Sequence, residues 1–234
     1  VDGGGRIIDC GITADGGREA GLFLAQLTLC DLAELSISGG ADPDMPFERV
    51  FVKTSEPVAA CMASQYAGWQ ISVGDFFAMG SGPMRAAYGG EKLFKEIGYI
   101  EKATRIVGIL ETRQRPPAEV FDFIAAKTGV EPKNIILAVA PTASDAGGVQ
   151  VVARSVETAL HKLHELGFDL SRVRSGSGSA PIPPTAADDM AAIGRTNDAV
   201  LYGARVELEV TGDDDSIAEL GAKTPSSASA DHGA

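Results

Sequence analysis

The chain has 234 residues, enough for one large domain or two modest ones, and its 44% apolar and 22% charged residues are those of an ordinary folded protein rather than a disordered one. Its 32 acidic residues outnumber 20 basic ones, which argues against a nucleic-acid binder and fits a positively charged small-molecule substrate. The three cysteines are widely spaced with no Cys-x-x-Cys, as expected of reduced thiols in the cytoplasm, and neither a signal peptide nor an apolar run of about 18 residues suggests a membrane.

In chain order, apolar periodicity predicts a strand over residues 6–10, a helix over 19–29, and short strands over 35–37 and 49–52. Pro57 suits a helix start, leading to Tyr66. Two strands follow, over 69–73 and 76–79, the second running into a Gly80-Ser81-Gly82-Pro83 loop. Residues 105–110 read as a buried strand, Pro116-Pro117 as a break, 118–128 as a helix and 134–139 as a further strand. A long helix is expected over 148–166, with Val149, Val152, Val156, Leu160 and Leu163 as its apolar stripe. Residues 175–184, rich in serine, glycine and proline, read as a flexible linker. A helix over 185–193 and an exposed strand over 199–210 close the pattern. The class is mixed α/β, expected as two lobes, residues 1–116 and 117–234, meeting near Pro116-Pro117.

Few residues advertise chemistry on their own. Gly80-Ser81-Gly82 permits close backbone approach to an anion, yet a Gly-x-Gly is as easily a tight turn. His161 and His164 lack a third ligand, so no metal site is expected. Arg154 and Glu157 stand three apart on one helical face, the spacing of a surface ion pair. No nucleophile with its histidine is evident, and His232 lies in an unanchored tail.

Longer stretches carry more. Residues 57–71, 76–86, 140–144, the run Arg154-Ser155-Val156-Glu157-Thr158-Ala159, residues 175–184 and Thr196-Asn197-Asp198-Ala199 resemble the methenyl-tetrahydromethanopterin cyclohydrolase family in order and spacing. The resemblance covers nearly the whole chain. It implies a hydrolase that opens the methenyl bridge of a folate-like pterin with water, giving the N5-formyl derivative, in formaldehyde oxidation or methanogenesis. It also implies a homotrimer of two similar α/β lobes, the pterin bound in the cleft between them, and no metal or organic cofactor. The family's Arg-x-x-Glu pattern maps onto Arg154 and Glu157, making Glu157 the general base and then acid, with Arg154 holding it in place. Gly80, Ser81, Gly82, Ser144, Gln65 and Asn197 are the residues expected to bind substrate. Two departures stand out: the chain is expected to be cut short at both ends, and Ala230-Asp231-His232-Gly233 stands where the family has Arg-Asp-Tyr-Gly. A diverged paralogue that binds pterin or an anion without turnover is the rival expectation.

Overall fold

The computed structural model describes residues 4–39, 46–230, 232 and 233. Its strands form two sheets, and helices pack against both.

The first sheet has five strands: β1 (Arg6–Asp9), β4 (Trp69–Val73), β5 (Phe76–Ser81), β6 (Ile106–Glu111) and β7 (Ile135–Ala140), in spatial order β1-β7-β6-β5-β4. The β1, β7 and β6 strands run parallel, and β5 runs antiparallel to both its neighbours, β6 and β4. Covered on both faces, β6 and β7 are almost continuously apolar. The second sheet is antiparallel throughout, with β2 (Glu34–Gly39), β3 (Glu48–Thr54), β8 (Val173–Pro181) and β9 (Arg205–Val210) in that order. Its strands alternate: Val50 and Val52 face the core, whereas Phe51 and Lys53 face outward.

Both sheets draw strands from either side of Pro116-Pro117, so the expected division there does not separate them: β7 inserts between β1 and β6, and β8 pairs with β3. The α/β class stands.

The helices are α1 (Arg18–Thr28), α2 (Pro83–Tyr88), α3 (Lys92–Ile97), α4 (Ala118–Thr128), α5 (Asp145–Val152), α6 (Ser155–Glu165), α7 (Asp189–Gly203) and α8 (Asp214–Gly221), with a π-helix over Val58–Gln65. Side-chain oxygens cap several of them, Ser144 accepting from the Gly147 amide at the start of α5 and Asp188 from Ala191 at the start of α7. None of the helices among the described residues is long and apolar enough to cross a membrane.

Three expectations need correction. The long helix is two helices. The backbone flattens at Ala153 (ψ −5°) and Arg154 (ψ 15°), and the Arg154 amide turns back to Val151 O at 3.1 Å. This bend lets α5 pack on α1 and α7 while α6 packs on β8. The supposed linker is β8, and its glycines have a packing reason. A Cβ on Gly178 would meet Ser155 Oγ at 2.6 Å, and one on Gly176 would meet Val156 Cγ1 at 2.9 Å. Glycine there lets the start of α6 lie close on the strand. Finally, residues 199–203 end α7, and only Arg205–Val210 is strand.

Candidate active site

The start of α6 carries Arg154 and Glu157, and the fold separates their partners. Arg154 sits at the bend, mostly buried, and its Nη2 donates to Glu111 Oε1 at 2.5 Å and to Gln150 Oε1 at 3.1 Å. Gln150 Nε2 donates in turn to the same Glu111 oxygen at 3.1 Å. Glu111 ends β6, at the carboxyl end of a parallel strand, so the cluster ties the first sheet to the head of α6. The expected clasp of Arg154 on Glu157 is therefore not made; the arginine's ion pair is with Glu111. Arg154 Nε is buried without a hydrogen-bond partner.

Glu157 is no surface residue. It is 5% exposed, and its Oε1 is buried without a hydrogen-bond partner, a costly state for a carboxylate oxygen. Its neighbour is His161, one turn along α6, with Nδ1 3.7 Å from that oxygen, beyond hydrogen-bond reach. The other ring nitrogen, Nε2, lies 3.6 Å from Glu165 Oε1. The Tyr66 ring meets the imidazole edge-on, centroids 4.8 Å apart. Glu157 raises the pKa of His161 despite the opposing effect of burial. Burial foremost, and then Glu157, raise that of Tyr66.

The π-helix sets this wall. Its carbonyls at Met62 and Ala63 accept bonds of 2.6 and 2.9 Å from the fully buried Arg85, whose guanidinium also lies over the Tyr66 ring and pairs with Glu91. The wider π turn recurs at functional sites, and here it ends on Gln65 and Tyr66. Gln65 is fully buried; its Nε2 donates to Ala153 O at 3.1 Å, at the bend, and its Oε1 has no partner.

A cavity of about 1050 Å³ opens between α6, the core face of β9, α8 and the C-terminal residues. Glu157, His161 and Tyr66 supply polar groups, and Phe168, Leu208 and Leu220 contribute to an apolar wall. His232 lines it too. Far from being unanchored, its ring packs on Tyr202, whose hydroxyl accepts from the Gly233 amide. Asp231 lies outside the described residues. A smaller concavity of about 630 Å³, over Phe51, Ser177 and Ser179, lies on the opposite face of the second sheet and holds none of the predicted site residues.

The remaining predicted residues are dispersed. Gly80 and Ser81 belong to β5, not to a loop. A Cβ on Gly80 would strike Met84 Cε at 2.7 Å, and one on Gly82 would strike Ile109 Cδ1 at 2.6 Å, so both glycines serve packing. The Gly82 amide is committed to Ser64 O at 2.8 Å, while Ser81 Oγ is buried without a partner. Ser144 spends its hydroxyl on the α5 cap and on Pro141 O, beside a narrow crevice shared with Thr196. Asn197 is exposed on α7. His161 and His164 face different carboxylates, the latter Glu96 at 3.0 Å. Among the described residues, no group of three or more His, Cys, Asp or Glu side chains is placed to hold a metal ion.

Comparison with known proteins decides the family. The family model described as Cyclohydrolase (MCH) matches residues 1–234. The chain belongs to this cyclohydrolase family. Relatives named methenyltetrahydromethanopterin cyclohydrolase include that of Rhodopirellula baltica, 48% identical over 98% of this chain and 71% of its own length. The Methylobacillus flagellatus protein is 46% identical over 98% of this chain and 70% of its own. That of Methanococcoides burtonii is 43% identical over 100% and 73%. Within this cyclohydrolase the sequence reading missed Glu111, Gln150, Tyr66 and the role of His161 beside Glu157. A signal existed for Glu111: a lone acid ending an apolar parallel strand, where open α/β sheets put their sites.

Proposed function

We propose that the chain hydrolyses 5,10-methenyl-tetrahydromethanopterin, a cation whose bridging carbon joins two ring nitrogens, to the neutral N5-formyl compound. The observation that carries this reading is Glu157 Oε1, a carboxylate oxygen buried at the wall of a large cavity with no hydrogen-bond partner. Such an oxygen is free to accept a proton from water as that water attacks the bridging carbon. The attack gives a neutral hydroxyl adduct and a protonated Glu157. That proton then passes to the departing nitrogen as the one C–N bond to it breaks, and the hydroxyl gives its own proton to the freed Glu157 carboxylate as it becomes the formyl oxygen. One proton leaves for each cation consumed.

The apolar wall of Phe168, Leu208 and Leu220 suits the flat face of a pterin, with few polar groups to orient it. Arg154 keeps its place through the Arg-x-x-Glu match. Held by Glu111 and Gln150, it fixes the head of α6 and with it the place of Glu157 at the cavity wall. Gly80, Ser81, Gly82, Ser144, Gln65 and Asn197 remain proposed substrate contacts on the resemblance; Gln65 and Ser81 have the free buried polar atoms that suit it. No metal or organic cofactor enters the scheme, so turnover is expected to survive exhaustive dialysis against a chelator. The working unit is proposed to be a homotrimer in the cytoplasm, serving one-carbon oxidation or methanogenesis, and light scattering tests the trimer.

The direct test is loss of the methenyl compound's near-ultraviolet absorbance on adding the purified protein. A protein that binds the compound, seen by calorimetry, while leaving its absorbance intact would overturn the reading.

A further inference from the structure

The proposed reaction leaves a proton on a group that water barely reaches, and the structure offers a way out. Glu157, His161 and Glu165 recur every four residues along one face of α6. They form a graded series: Glu157 is 5% exposed, the His161 side chain 32%, and the Glu165 side chain 59%. The imidazole lies between the carboxylates with one nitrogen toward each, Nδ1 at 3.7 Å from Glu157 and Nε2 at 3.6 Å from Glu165. Resting on the hydrolytic role assigned to Glu157, we propose that His161 is the relay that carries the released proton from Glu157 to Glu165 and on to solvent.

The chemistry balances. Nδ1 accepts the proton from the Glu157 carboxyl, Nε2 gives one up to the Glu165 carboxylate or to water there, and the ring returns to neutrality by tautomer exchange. Both gaps exceed a hydrogen bond by a few tenths of an ångström, the span closed by a small side-chain shift or one bridging water. The Tyr66 ring, edge-on to the imidazole, fixes its plane without competing for either nitrogen. The charges facing the imidazole are Glu157 and Glu165 from its own helix and Arg85 from α2, with the Tyr66 phenol from the end of the π-helix. The two carboxylates favour its protonation and the guanidinium opposes it, and the carboxylates prevail. An imidazole so placed is able to change charge during each turnover near neutral pH.

The test measures kcat and KM of wild type, His161→Ala and Glu157→Gln in weak buffer, with increasing imidazole or increasing pyrazole, a ring of the same shape that is not basic at neutral pH. For His161→Ala, kcat should fall at least about tenfold with KM nearly unchanged, and should rise saturably with imidazole but not with pyrazole. Wild type should respond to neither. An undiminished kcat in weak buffer overturns the relay. So does a loss that both rings restore, which marks a packing role, or a loss that neither restores. Should the alanine variant fail to fold, His161→Gln goes through the same buffer series, and the same outcomes support or overturn the relay. Wild-type turnover by Glu157→Gln sinks the assignment of Glu157 itself, an outcome separate from any failure of rescue at position 161.

Discussion

Arg154 and Glu157 stand three residues apart, yet their surroundings are opposite in kind. Arg154 belongs to a cluster in which one Glu111 oxygen accepts from both the guanidinium and Gln150, leaving Nε of the arginine buried without a partner. Its charge is balanced within the protein. Glu157 faces a cavity, its nearest charged partner is a histidine beyond hydrogen-bond distance, and one of its oxygens is bonded to nothing. A satisfied buried ion pair holds two parts of a fold in register, whereas an unsatisfied carboxylate is kept at a cost that function must explain. The difference separates scaffold from reagent within a single turn of chain.

The sharpest way to break this comparison is Glu157→Gln. The amide keeps the shape but does not take a proton from water, so kcat should fall about 10²–10⁴-fold, read from the decay of the methenyl absorbance. A normally folded variant with near-full kcat would make Glu157 scaffold after all. Next in size is Glu111→Ala, which strands a largely buried guanidinium. It should cost about 3 kcal/mol in urea unfolding, and a loss below about 0.5 kcal/mol would show that the cluster holds nothing together. Arg154→Lys is a smaller change. An ammonium lacks the planar fork that serves Glu111 and Gln150 together, so about 1–2 kcal/mol should be lost, with turnover falling less than in Glu157→Gln. A double-mutant cycle with Glu111→Gln would sharpen the contrast by isolating the pair.

The smallest effect concerns pH. The folded state raises the pKa of His161 above its ordinary 6.5, so protonation stabilises the fold. That contribution is fully present below the ordinary value and is lost as pH rises through the raised one. Wild type should therefore exceed His161→Gln in stability by a margin that shrinks as pH is raised from about 6 through neutrality, on the order of a few tenths of a kcal/mol. A margin that grows over that range would contradict the charge arrangement described for Glu157 and Glu165.

Much of this fold could be read from local pattern. β4 and α4 lie where periodicity puts them, the helix bounded by Pro117 and by Gly129 at φ +74°. The bend at Ala153–Arg154 could not be read, because both residues suit a helix interior and only the diverging contacts of α5 and α6 require the break. β8 was hidden for the opposite reason. Its glycines look like linker residues until α6 lies on top of them. At the site, family resemblance singled out Arg154 and Glu157, but not which partner each would take. Spacing on a helix implied that they face one another, and the bend sends Arg154 to a strand more than forty residues earlier, Glu111.

The interleaving of the two sheets has a consequence for how the chain is made. Ile7 pairs with Leu137 and Phe51 with Ser179, so the earliest strand of one sheet and an inner strand of the other await partners from far along the chain. During synthesis the β2–β3 and β4–β5 hairpins are able to form early, since each joins strands close in sequence. The first sheet closes only once β7 has emerged, and the second only after β8 and β9. Topologies built on such distant pairings fold slowly and keep apolar strand faces open meanwhile. Val50 and Val52, wholly or almost wholly buried in the finished protein, line one of those faces, which stays uncovered until the later strands and helices arrive.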